Sequence, residues 1–190
     1  MTDTKNAKIN QLMPLIISKN LEILTRDHKT VVFVFIGTDA NVGDSLGPLC
    51  GTLLNYTSYN IYTYGSLNAP ITAKEVPFVA NFIKKTHPTS FVVVVDAALG
   101  KSIDVGEIKV LKEGIYPGAG VNRSLPKIGD ASIIGVVGEK CVLAELNLKT
   151  TRISTVFDMA KTITDGINRF ISSKERSQSR IISLKRDSTA

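Results

Sequence analysis

The chain has 190 residues, 43% of them hydrophobic and 21% charged, with a formal net charge of +6. That length suffices for one domain with a sizeable core, and the composition is ordinary for a soluble globular protein. No apolar run approaches the roughly 18–20 residues that span a bilayer, so no membrane association is expected.

The opening MTDTKNAKINQLMPLII starts polar and has no small-residue cleavage site after its apolar part, so it does not read as a signal peptide. Two cysteines, Cys50 and Cys141, make no disulfide framework, and the expected compartment is cytoplasmic. Half of the positive excess lies in residues 174–190, KERSQSRIISLKRDSTA, which hold five basic and two acidic residues. This Ser-rich segment reads as a solvated tail, flexible or partly helical, and no specific nucleic-acid binding is expected from it.

In chain order, Ile9, Leu12, Met13, Ile16, Ile17, Leu21 and Leu24 follow a helical stripe, which predicts a helix over about residues 7–25 with Pro14 in its early turns. VVFVFI at 31–36 is short, continuous and β-branched, as in a strand buried on both faces. Helical spacing returns at Leu46, Leu49, Cys50, Leu53 and Leu54, with Pro48 suited to a first turn. IYTY at 61–64 is a second strand. Val76, Val79, Ala80 and Ile83 mark another helix, with TAKE at 72–75 as a capping box and Pro77 pointing to a later start. FVVVV at 91–95 is a third buried strand.

This alternation predicts a doubly wound α/β fold. GEIKVLK at 106–112 reads as an edge strand, and residues 114–130 are too rich in Gly and Pro for regular structure. ASIIGVV at 131–137 is a further strand. Val156, Ala160, Ile163, Ile167, Phe170 and Ile171 share one face of a long final helix. Both cysteines are expected in or near the core.

The loop after the first strand contains GDSL at 43–46, letters that also mark a class of serine esterases. Those enzymes place the serine directly after the first strand and supply a His as base. Here the strand ends several residues earlier, and neither His28 nor His87 has an Asp three positions before it. Without a base a serine hydroxyl is a weak nucleophile. Ser45 therefore reads as a helix N-cap or another local hydrogen-bonding group.

The carboxylates are the stronger candidates. Asp44 lies in the loop after the first strand, and Asp96 follows FVVVV. If those strands are neighbours and the second lies outside the first, both loops open on the crevice where winding reverses, the usual ligand site of such sheets. Two close carboxylates cannot both ionise cheaply, so one keeps a proton; the pair can then act as base and acid. Alternatively they could hold a hard divalent cation, with Asp44 and Asp96 as its ligands. Asp39, in the same loop as Asp44, is a third carboxylate. The glycines of GIYPGAGVNR allow close backbone approach to a ligand. Gly118, Gly120, Asn122 and Arg123 are candidates to place a peptide carbonyl or carboxylate.

Together GTDANVGDSLGP, VVVVDAALG and GIYPGAGVNRSLPKIGDASIIGVVG resemble the YyaC-type sporulation proteins, over roughly residues 30–140. That family is similar to the spore germination protease and, more distantly, to the hydrogenase maturation proteases. The resemblance implies a three-layer α/β/α sandwich with a mostly parallel sheet, phosphorylase/hydrolase-like, as one peptidase-like domain over residues 1–173. It implies an aspartate-dependent peptidase with Asp44 and Asp96 at the catalytic positions and a peptide or small spore protein as substrate. The compartment it implies is the forespore or mother cell. No cofactor is required; a divalent metal and a homo-oligomer are compatible with it.

In the maturation proteases a His after the third strand completes a metal site, whereas His87 precedes that strand. The Gly-Asn that follows the first strand in the family is interrupted here as Gly37, Thr38, Asp39, which adds a charge beside the pair and would tune it. A catalytically silent binding or assembly protein with the same fold is the competing expectation.

Overall fold

The computed structural model describes residues 2–54, 58, 60–117, 126–140, 148 and 151–187, with the backbone alone for residues 2–10 and 178–187. Helix α1 (Thr2–Leu24) leads into β1 (Val31–Phe35), a 3-10 turn (Gly43–Ser45) and α2 (Leu46–Leu53). Then come β2 (Ile61–Tyr64), α3 (Val76–Thr86), β3 (Phe91–Gly100) and a second 3-10 turn (Ser102–Asp104). Strands β4 (Ile108–Leu111) and β5 (Ala131–Glu139) precede the long α4 (Ile153–Asp187).

Among the described residues, five strands form one sheet in the order β2-β1-β3-β5-β4. All pairs are parallel except β4 with β5, which places β4 antiparallel at an edge. Alternation along the strands divides the core into two layers. Val31, Phe33, Phe35, Val93 and Val95 face α1, α2 and α4, against Ile17, Leu46, Cys50, Ile163 and Phe170. Val32, Val34 and Val94 face α3, against Val76 and Ile83. The architecture is thus the expected three-layer α/β/α sandwich. Because α2 and α3 cover opposite faces, the winding reverses between β1 and β3.

Local chemistry explains the element ends. The Glu75 carboxylate accepts the Thr72 N–H at 3.0 Å and also the Thr72 hydroxyl, so the turn before α3 is tied down as in a capping box. The helix starts only at Val76, with Pro77 in its first turn where no N–H is needed. Helix α1 starts earlier than its periodicity suggested and carries Pro14 in its interior. Its apolar stripe is also narrower. Ile17 and Leu21 are buried and Met13 and Leu24 pack beside them, while Leu12 and Ile16 stay 52% and 43% exposed. All six residues read onto one face of α4 are buried, and that helix continues through Asp187. Gly166 lets α1 and α4 close up, since a Cβ there would stand 2.7 Å from Ile17. Cys50 is in the core, while Cys141 lies outside the described residues. Among the described residues, no helix is long and apolar enough to cross a membrane.

Candidate active site

Strand β1 gives out before β3 does. Its last rung is the Ile36 N–H to the Val95 carbonyl, at 2.9 Å. The chain then turns away at Gly37, which has φ +139°. The following loop closes on itself: the Thr38 N–H donates to the Asp44 carbonyl at 3.1 Å, the Asp44 N–H to the Asn41 carbonyl at 3.1 Å, and the Ala40 N–H to the Thr38 hydroxyl at 3.2 Å. Gly37 and Asp44 are so close that a Cβ on Gly37 would lie 2.1 Å from the Asp44 carbonyl oxygen. Sequence spacing does not single out Gly37 as the residue that lets Asp44 close against the strand end. The Gly at a strand end is the one signal that could have done so.

Asp96 lies inside β3, not after it. The strand keeps its partner β5 as far as Gly100, so the apolar run FVVVV covers only its first half. Asp96 sits one residue beyond the last residue of β3 that β1 reaches, and it is buried, 9% exposed. Its Oδ1 accepts the Ala97 N–H at 2.8 Å. Burial pushes its carboxyl pKa well above the usual carboxylate range, and the charge of Asp44 pushes it further; the Ala97 hydrogen bond only partly offsets this. Asp44 is half-buried; burial raises its pKa too, with the Thr38 N–H partly offsetting that rise. Both aspartates thus lie just past the end of β1, where winding reverses, and the charge of Asp44 acts on Asp96 in the same direction as its burial. The more deeply buried one, Asp96, is the better holder of a proton, and the more open one, Asp44, the better base.

The other candidates separate. Asp39 is exposed on the same loop, and the charge that raises Asp96 is that of Asp44. Ser45 is buried at the N-cap position of α2, yet its side chain makes no capping bond. Its hydroxyl donates to the Val42 carbonyl at 2.6 Å, because the 3-10 turn brings that carbonyl under it. The expected cap is thus replaced by another local hydrogen bond. Gly118, Gly120, Asn122 and Arg123 lie outside the described residues.

His28 and His87 both precede strands, at the opposite end of the parallel sheet from the aspartates. His28 packs on Phe91 with ring centroids 5.0 Å apart, and His87 meets the Tyr64 hydroxyl at 2.7 Å. Among the described residues, no three His, Cys, Asp or Glu side chains gather as ligands for one ion. The donor set of two carboxylates therefore does not fit a three-ligand centre completed by histidine. A cleft of about 610 Å³ between α1 and α4, lined among others by Lys19, Glu22, Asp165, Arg169 and Arg176, does not include Asp44 or Asp96.

The fold is one shared with a solved hydrogenase maturation protease. The chain is similar to the crystal structure of the NiFe hydrogenase maturation protease HycI from Thermococcus kodakarensis, with a TM-score of 0.55 over 80% of this chain and 98% of that one. The two are 17% identical, a level at which the likeness concerns the fold alone. Residues 1–166 match the family described as protein of unknown function, DUF1256, and the chain belongs to that family. It is also 38% identical, over 141 residues, to the uncharacterized protein YyaC of Bacillus subtilis (strain 168), covering 74% of this chain and 69% of YyaC. The kinship with YyaC expected from the motifs holds.

Proposed function

We propose that the protein is a sporulation-associated peptidase in which Asp44 and Asp96 act as a pair that shares one proton. The observation that carries this reading is the placement of Asp44 and the buried Asp96 just past the last rung between the neighbouring strands β1 and β3, where winding reverses. In the resting pair, Asp96 carries the proton and Asp44 is ionised. A water between them gives a proton to Asp44 as its oxygen attacks the peptide carbonyl carbon. The tetrahedral intermediate collapses when Asp96 gives its proton to the leaving nitrogen, breaking the C–N bond and releasing an amine and a carboxylic acid. The proton held by Asp44 then returns to Asp96, and the pair is restored. Asp39 adds a second, solvent-screened negative charge to the same loop, and the GIYPGAGVNR segment would help place substrate through Asn122 and Arg123.

The resemblance to the spore germination protease supports small acid-soluble spore proteins as substrates and a spore-forming cell's cytoplasm as the site of action. The test is incubation of those proteins with the native chain and with Asp44→Asn and Asp96→Asn. Cleavage by the native chain that falls in each variant by about 10²–10⁴-fold, the usual worth of a positioned acid or base, supports the proposal. Equal residual cleavage in all three refutes it. Chelator treatment and metal analysis of the native chain address the rival in which the same carboxylates hold a divalent ion.

A further inference from the structure

The hydrogen bonds of β3 alternate in direction, as in any strand. Odd-numbered residues face β1: the Phe91 N–H donates to the Thr30 carbonyl at 3.0 Å, and the Val95 carbonyl accepts from Ile36 at 2.9 Å. Even-numbered residues face β5: the Val92 carbonyl accepts from Asp130, and the Gly100 carbonyl from Lys140, both at 2.7 Å. Ala97 and Leu99 therefore turn their backbone groups toward the β1 side, where β1 has ended.

The next rung of that ladder would be the Ala97 N–H to the Ile36 carbonyl. It is not made, because the Ala97 N–H turns to Asp96 Oδ1 instead. This leaves the Ala97 carbonyl and the Leu99 N–H and carbonyl with no strand beside them among the described residues. Residues 97–100 are each partly exposed, and the extra residue at the Ala98/Leu99 register shift, Val137, lies on the β5 side, away from this edge. A strand edge left unpaired among the described residues is a template for another extended chain.

We infer that the site takes its ligand as an extended polypeptide strand laid on the β1-side edge of residues 97–100, in the lane that β1 vacates. The inference rests on the peptidase reading for what happens to that strand, but not for its binding. Main-chain hydrogen bonds to Ala97 and Leu99 hold the segment against the sheet and carry a backbone carbonyl past Asp96 and Asp44. The substrate class is accordingly an unfolded or locally unfolded segment with free N–H groups. A helix, or a strand already paired on both sides, offers no edge to add.

The test uses β-casein, an unfolded protein, with the full-length chain carrying Asp44→Asn and Asp96→Asn so that nothing is cut. Amide hydrogen exchange is followed at Leu99, with Val93, already paired to β1, as the internal reference. Saturating casein should slow exchange at Leu99 by about tenfold or more and leave Val93 unchanged, since a newly made backbone bond protects its amide. No slowing at Leu99 overturns the inference. If the native chain nevertheless cuts casein and the variants do not, the peptidase reading survives without strand addition. Protection at Leu99, with no cleavage of any protein by the native chain, upholds the strand site and removes the peptidase reading.

Discussion

Replacing Gly37 with Ala should damage both the fold and the site. Its backbone has φ +139°, a region that residues with a Cβ adopt at a cost of about 1–3 kcal/mol. The new Cβ would also stand 2.1 Å from the Asp44 carbonyl oxygen, where contacts under 3.0 Å essentially never occur. The Asp44 backbone must therefore retreat by about 1 Å, a displacement on the scale that costs about a hundredfold in rate when a catalytic group moves. At about 2–4 °C per kcal/mol for a chain of this size, the strain lowers Tm by about 2–12 °C. Thermal denaturation and cleavage of spore proteins are measured on the same preparations. A Gly37→Ala chain with an unchanged Tm would show that the close approach of Gly37 and Asp44 does not hold the loop. A lowered Tm with full cleavage would show that the position of Asp44 does not matter to the chemistry.

The folded-state pKa of Asp96 lies above its ordinary 3.8, so the protonated form stabilises the fold. That contribution is complete below the unfolded pKa and is lost as pH rises through the folded one, at a slope of up to about 1.4 kcal/mol per pH unit. Asp96→Asn cannot ionise and should gain stability over the native chain as pH rises from 4 to 8; a Tm difference independent of pH would contradict this. Ser45→Ala removes one hydrogen bond to Val42 and should cost about 0.5–1.5 kcal/mol in denaturant unfolding while cleavage persists. Abolished cleavage in a folded Ser45→Ala chain would restore the serine as a nucleophile.

Much of this was legible in the residues. The runs at 31–36 and 91–95 are β-branched because both faces of those strands are covered, and that is why they stand out. The order β2-β1-β3 follows from winding rules and brings Asp44 and Asp96 to the same reversal. Other features depend on partners that are distant in the chain. β3 continues past its apolar run because β5 runs on beside it, so the sequence suggests an end where only β1 stops. Leu12 and Ile16 have helical spacing, but α4 and the sheet cover just the face of Ile17 and Leu21. The side chain of Ser45 chooses between a helix N–H and the Val42 carbonyl by the geometry of the 3-10 turn, which spacing does not encode.

The most direct test of a shared proton is the ¹³C-NMR titration of the Asp96 carboxyl in the native chain and in Asp44→Asn. A shared proton requires Asp96 to titrate well above the usual carboxylate range, and to titrate lower once the Asp44 charge is gone, while still raised by burial. An Asp96 that titrates in the ordinary range, or one indifferent to Asp44→Asn, would show that the two carboxylates do not act as a pair.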